Sequence, residues 1–243
     1  MRMTSPSIRL FQVSQFLRLQ PWFAALDAQR QDHLIRHSVT LHARRGEVVL
    51  RSGEPPQGWY ALLSGFVKLQ SPALNEQVAA LLALTGGEWF GEDAVIRRQP
   101  LRYEVVALRD SALLCLPRAQ FDELLCANPA FNRAVLGHLN RRLDQIMSII
   151  ETQRTGTLEQ RLALHLSRAF WHGLRKLNMS QEELGSLAGM ARQTANRGLK
   201  ELERRGLVTL RFGRVETVDQ AALDVFVGVP MMDMAGAREP RAA

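Results

Sequence analysis

Between Val39 and Leu116 the apolar residues come only in short runs, each cut off by turn formers. The runs are Glu47–Leu50, Trp59–Leu63, Phe66–Gln70, Val78–Leu84, Tyr103–Leu108 and Ala112–Leu116. Arg45-Gly46, Ser52-Gly53, Ser64-Gly65, Gly86-Gly87 and Gln99-Pro100 lie between them. A helix needs its apolar stripe sustained over about ten residues or more. Short strands at intervals of about 8–12 residues with glycine at the corners instead predict a closed or double-layered antiparallel β domain. The longest run, Val78–Leu84, falls well short of the roughly 18 apolar residues that span a bilayer. Two cysteines in 243 residues exclude a disulfide framework and a four-thiolate metal or cluster site within one chain. Met1–Ser7 has no apolar stretch ahead of a cleavage site, so a cytoplasmic protein with no membrane partner is expected.

Outside this zone the pattern turns helical. Gln15–His37 reads as one or two short helices, with Trp22, Phe23, Leu26 and Leu34 at helical spacing after Pro21. Pro117–Ala127 reads as a short helix opened by its proline. Ala130–Gln153 has no internal proline and sets Val135, Leu139, Leu143, Ile146 and Ile150 at steps of four, four, three and four. Such a stripe is either the seam of a two-stranded association or the face that packs on the chain's own β domain. A homodimer seam is favoured, because a β domain followed by a single long helix leaves the stripe few other partners. Thr155-Gly156-Thr157 interrupts the pattern. Leu158–Trp171 resumes it with Leu162, Leu166, Ala169 and Phe170, and it fades at His172-Gly173.

The segment Asn178–Leu207 carries the functional signal. Ser180 with Glu183 three residues on forms a capping box, so a helix starts there. Leu184 and Leu187 face inward, Gly189 supplies a tight turn, and a second helix runs from Arg192 to about Arg205 with Ala195, Leu199 and Leu202 as its buried side. Two short helices joined by a glycine-containing turn are a helix-turn-helix. The second helix presents Arg192, Gln193, Asn196, Arg197 and Lys200 on its other side, where a recognition helix meets base edges. Arginine suits the two acceptors of guanine and glutamine the donor–acceptor pair of adenine. Gly206–Leu210 and Val215–Val218 flank Gly213 as a β-hairpin, so the unit is winged. The chain has 31 Lys and Arg against 24 Asp and Glu, a formal charge of +7. Seven basic and two acidic residues fall within Gly189–Arg214 alone. That is the electrostatic footprint a phosphate backbone attracts.

From about Val39 to Val218 the chain resembles the Crp/Fnr family of bacterial regulators, which includes the cyclic-AMP receptor protein and the FNR regulator. The segments "RRGEVVLRSGE", "WYALLSGFVKL" and "GGEWFGEDAV" are similar to its effector-binding β-roll, and "SQEELGSLAGMARQTANRGLKELERRGLV" to its helix-turn-helix signature. The resemblance implies an α+β fold: an antiparallel cyclic-nucleotide-binding-like jelly roll, a long dimerisation helix and a C-terminal winged helix-turn-helix. The expected domains are residues 1–127 for sensing, 128–156 for the dimerisation helix and hinge, and 157–230 for DNA binding, with 231–243 an unstructured tail. It further implies double-stranded DNA, a second copy of the chain and RNA polymerase as partners. Arg192, Gln193 and Arg197 would then read bases and Thr194 would contact phosphate.

The same resemblance proposes a cyclic nucleotide as effector, with Glu92 on the ribose and Arg102 on the phosphate. Tyr103 stands where the family has a short hydroxyl, and Glu104 follows it. A bulky phenol and a nearby carboxylate argue against cyclic AMP; the roll is expected to sense an unidentified small molecule or other signal, and the alternative is a ligand-independent dimer whose roll is only a scaffold. Glu92 and Arg102 could instead pair with each other. Cys115 and Cys126 are too few for FNR-like oxygen sensing. His33, His37 and His42 are clustered but read as solvated surface residues and lack the His-x-His pattern of a cupin metal site, and no nucleophile–base pair or phosphate loop suggests an enzyme. Ala191 replaces a usual N-cap serine, and Gly198 inside the recognition helix costs about 1 kcal/mol relative to alanine. A recognition helix loosened in the absence of DNA is therefore expected.

Overall fold

Proline or aspartate opens three helices ahead of the β zone: α1 (Pro6–Arg18), α2 (Pro21–Ala24) and α3 (Ala28–His37). Asp27 caps α3 by accepting a hydrogen bond from the Arg30 amide at 2.8 Å. Helix α1 starts nine residues before Gln15, where the sequence pattern was read to begin. Its apolar stripe is diluted, because Val13 and Leu17 are buried while Leu10 and Phe11 face solvent. The computed structural model describes residues 6–71, 80–168, 170–171 and 179–228. No helix among them is long and apolar enough to cross a membrane.

Eight strands follow: β1 (Val39–Ala43), β2 (Val48–Leu50), β3 (Gly58–Ser64), β4 (Phe66–Gln70), β5 (Ala80–Thr85), β6 (Trp89–Phe90), β7 (Glu104–Ala107) and β8 (Ser111–Pro117). A six-residue helix, α4 (Glu92–Arg97), sits between β6 and β7. The strands form two antiparallel sheets in the orders β1-β8-β3-β6 and β2-β7-β4-β5. This is the double-layered roll, with β1 and β6 added to the runs read from sequence. Val78 and Ala79 lie outside the described residues. Strand β3 has its first five residues buried because both of its faces are covered. Tyr60 points into the roll and stacks on Phe90. Trp59 and Ala61 point the other way, into a core built with Trp22, Phe23, Phe121 and Phe131 from the helices. There Trp59 lies 4.0 Å from Trp89 in a stacked pair, with Phe121 and Phe131 edge-on.

Pro117 closes β8 and stands just outside α5 (Arg118–Ala127), so it is the N-cap position and not a first-turn residue. Helix α6 spans Pro129–Thr155, and the chain divides into two compact units, Met1–Asn140 and Arg141–Ala243, inside that helix. The first turns of α6 belong to the roll's core: Val135 is 2% exposed and Leu139 packs partly against the same cluster. Val135 is therefore removed from the proposed seam. The exposed apolar residues of α6 are Leu136, Leu143, Ile146, Met147 and Ile150.

In the second unit α7 (Leu158–Leu164) begins with a complete capping box between Thr157 and Gln160. It ends at Leu164, short of the Trp171 read from sequence. Ser167 is the reason: its hydroxyl donates to Asp224 at 2.7 Å, the Arg168 amide joins at 3.1 Å, and the backbone leaves the helix to reach them. Ala169 and His172-Gly173 lie outside the described residues. There follow β9 (Met179–Ser180), α8 (Gln181–Leu187), α9 (Arg192–Arg204), the hairpin β10 (Val208–Arg211) and β11 (Arg214–Thr217), and α10 (Gln220–Val227). The order of the three strands is β10-β11-β9. Residues 229–243, including the tail expected to be unstructured, lie outside the described residues.

Candidate functional site

Helices α8 and α9 meet through small residues. Ser180 caps α8 in a two-way box with Glu183, as the sequence implies. Gly189 takes φ 66 in the turn between the helices, a backbone conformation that favours glycine. A Cβ on Gly185 would lie 3.1 Å from that of Ala195, so the two helices cross there at close range. On α9 the side chains of Ala195, Leu199 and Leu202 are buried, with Gly198 beside them. Arg192, Gln193, Arg197 and Lys200 are exposed on the opposite side, and Thr194 and Asn196 are half-buried at its margins. At 3.6 residues per turn, Gln193, Asn196, Arg197 and Lys200 fall within an arc of about 100°.

Charge on this unit is sorted. Glu201 takes hydrogen bonds from Arg204 at 2.6 and 2.8 Å and from Arg205 at 2.9 Å. Those contacts, Arg204 first, hold the Glu201 carboxyl down at about 2. Arg205 also lies over the ring of Phe226. Two of the seven basic residues in the sequence footprint are thus engaged within the fold. Arg192, Arg197 and Lys200 form no ion pair with another described residue. The free positive charge is concentrated at the exposed face of α9 and at Arg211 and Arg214 of the wing.

Gly198 changes meaning. A Cβ there would come 2.6 Å from Leu162 Cδ1 and 3.2 Å from Leu158 Cγ, so glycine is what lets α7 lie against the recognition helix. The sequence shows its cost to helix propensity but not the packing that repays it. The expected looseness then rests on the N-terminus alone, where Ala191 supplies no side-chain cap. Helix α10 was missed, although Asp219 accepting from the Ala222 amide and Gly228 at φ 73 are ordinary start and stop signals.

The effector residues do not converge. Gly91, at φ 89, turns the chain into α4 and directs Glu92 away from the roll's interior. Glu92 is 6% exposed. Its Oε2 accepts from Trp59 Nε1 at 3.2 Å, and its Oε1 lies 3.3 Å from His138 Nε2 on α6. It therefore lies against His138, whose Nε2 makes no hydrogen bond at this geometry, and not against Arg102, which is exposed. Tyr103 donates its hydroxyl to Asp93 Oδ1 at 3.2 Å, and Asp93 also pairs with Arg97. Glu104 accepts from Gln70 Nε2 at 3.1 Å. In this arrangement Glu92 faces Trp59 and His138, while Arg102 stays exposed. His138 and Asp93 were not singled out from sequence, since only the fold brings His138 to Glu92 across an interval of about 45 residues.

The other sensing chemistries are placed as follows. Cys115 is buried in β8 beside Tyr60, and burial pushes its thiol up to about 12. Cys126 is exposed on α5. The rings of His33 and His37 lie 4.1 Å apart on α3, tilted by 31°, and His42 is exposed on β1.

Residues 40–128 match the cyclic nucleotide-binding domain family, and residues 160–226 match the Crp-like helix-turn-helix domain family. The cyclic AMP receptor protein of Thermus thermophilus is 28% identical over 205 residues, 84% of this chain and 95% of its own length. A CRP-like cAMP-activated global transcriptional regulator of Mycobacterium tuberculosis is 26% identical over 175 residues, 68% of this chain and 78% of its own. A solved Crp/Fnr-family regulator from Thermus thermophilus shares the fold with a TM-score of 0.60 at 24% identity, covering 78% of this chain and 98% of that one. A roll of cyclic nucleotide-binding type followed by a winged helix-turn-helix defines a DNA-binding transcription regulator. The chain belongs to the Crp/Fnr family.

Proposed function

We propose that the protein is a homodimer that reads a near-palindromic duplex through Arg192, Gln193 and Arg197, with Thr194 on phosphate, and that its DNA affinity does not depend on cyclic AMP. The exposed, unpaired cations of α9 opposite its buried side carry the DNA reading. Leu136, Leu143 and Ile150 repeat at heptad spacing on α6, with Leu139 and Ile146 at the intervening position. This corrected stripe supports a two-stranded seam, and a near-palindromic site would require two recognition helices about 34 Å apart, one turn of DNA. The engagement of Glu92 with Trp59 and His138, away from the roll's interior, supports the roll as a scaffold, the alternative raised by Tyr103 and Glu104.

Gln193 makes the reading testable. Glutamine pairs with adenine where glutamate would accept from cytosine. Selection from random duplexes is expected to recover guanine opposite Arg192 and an A·T step opposite Gln193, with Gln193→Glu shifting that step to C·G. Unchanged selection by the variant removes Gln193 from the reading face.

A further inference from the structure

The part of α6 that lies in the second unit has two unlike faces. Leu143, Ile146, Met147 and Ile150 are exposed on one. The other is polar: Gln145 is 3% exposed and Thr152 8%, with Ser148 half-buried between them. A buried amide must be satisfied at both ends, a demand that an apolar side chain would not make. Gln145 therefore calls for a reason other than burial.

Both ends of its amide are engaged. Nε2 donates to Phe170 O at 3.1 Å, and Oε1 accepts from Arg142 Nη1 at 2.7 Å. The carbonyl it meets is itself held in place. The Phe170 amide donates to Ser167 Oγ at 3.2 Å, the Ser167 hydroxyl donates to Asp224 on α10, and the Phe170 ring packs edge-on against Trp171. Through α7, which lies against Gly198, this turn is continuous with the recognition helix. The other attachment is covalent. A Cβ on Gly156, just past the end of α6, would come 2.6 Å from Thr152 O, and Thr157 then caps α7. The helical rise puts Gln145 about 16 Å from Gly156. A unit held to a helix at one point can swivel about it. Held at two such separated points, one of them a directional hydrogen bond, it keeps a single angle.

We propose that Gln145 is a positioning residue for DNA reading. By fixing the angle between α6 and the recognition helix, it sets the half-site spacing that two copies accept. Gln145 acts through α6 and touches no base. The proposal rests on the dimer seam and the α9 reading proposed above.

The test uses half-sites that the wild-type protein selects from a random pool. Affinity is measured for duplexes carrying two of them at the selected spacing, two with one base pair inserted between them, and one alone. An added base pair shifts the second half-site by about 3.4 Å and about a tenth of a turn. Wild type is expected to lose about thirtyfold on the insertion. Gln145→Met matches the side chain in length without its hydrogen bonds, and Gln145→Glu keeps the acceptor for Arg142 but loses the donor to Phe170 O. Both are expected to bind about fivefold more weakly at the selected spacing and to lose only about threefold more on the insertion. Both should hold the single half-site within about twofold of wild type, and Gln145→Met should melt about 3 °C lower. A wild-type spacing profile in either folded variant overturns the proposal. An equal loss on every duplex, the single half-site included, also overturns it, as does a wild type indifferent to spacing. If the wild-type protein binds no duplex, or binds as a monomer, it is the α9 reading or the seam that fails, and the positioning role with it.

Discussion

The roll and the helix-turn-helix unit both carry their family's lettering, yet they use their polar side chains in opposite ways. In the roll, Glu92, Asp93, Tyr103 and Glu104 are spent on neighbours: Trp59, His138, Arg97 and Gln70. On α9 the cations stand in water while the fold engages Arg204 and Arg205 with Glu201. A buried polar group must find a partner, and an internal partner competes with any ligand for the same group. Exposed cations on a helix surface have no such competitor. Motif identity therefore marks both places, but the two differ in how far neighbouring residues already engage their side chains.

The strongest way to break this contrast is at the open site. Arg192→Ala combined with Arg197→Ala is expected to weaken specific duplex binding by about two orders of magnitude or more, since each bidentate base contact is worth about 1–3 kcal/mol. Melting temperature should hold, because both side chains are exposed. Anisotropy and thermal melting together check this.

A second effect, of roughly 3 kcal/mol, comes from acid. His165 is buried, and desolvation holds its imidazole down at about 4. The unfolded chain takes up this proton near pH 6.5 and the folded chain only near 4. Stability of the second unit is therefore intact above about 6.5 and falls as pH drops toward about 4. Denaturant titrations across that window, with His165→Leu as the variant that flattens the profile, measure it.

Glu92→Ala tests the closed site. It leaves the Trp59 N–H without its acceptor in a dry core and should cost about 2 kcal/mol in the roll. Duplex affinity should stay within twofold of wild type. A gain or loss of affinity much beyond that would make Glu92 part of a regulatory linkage. The smallest effect is at Gly198. Gly198→Ala improves helix propensity by about 1 kcal/mol but forces Leu162 to move, and a net loss of about 1 kcal/mol is expected. A stabilised variant would restore the reading of this glycine as merely a weak point in the helix.

Much of the architecture is legible in the residues. Short runs with glycine corners give the roll, and the Ser180–Glu183 box, Gly189 and the α9 pattern give the helix-turn-helix, because capping and periodicity are local. What escaped was tertiary. Val135 and Leu136 are adjacent and both apolar, and only packing against the roll reveals which of them is left on the surface. Likewise Gly198 looks like a flaw until Leu158 and Leu162 are seen against it. The partnership of Glu92 with His138 depends on a turn at Gly91 and on the course of α6, neither of which has a signature in spacing.

The contrast between the two sites is tested most directly by titrating the selected duplex with the wild-type protein in the absence and presence of saturating cyclic AMP. Equal dissociation constants are expected, with the base preference at Arg192 and Gln193 unchanged. Duplex binding that appears only when the nucleotide is added would contradict it.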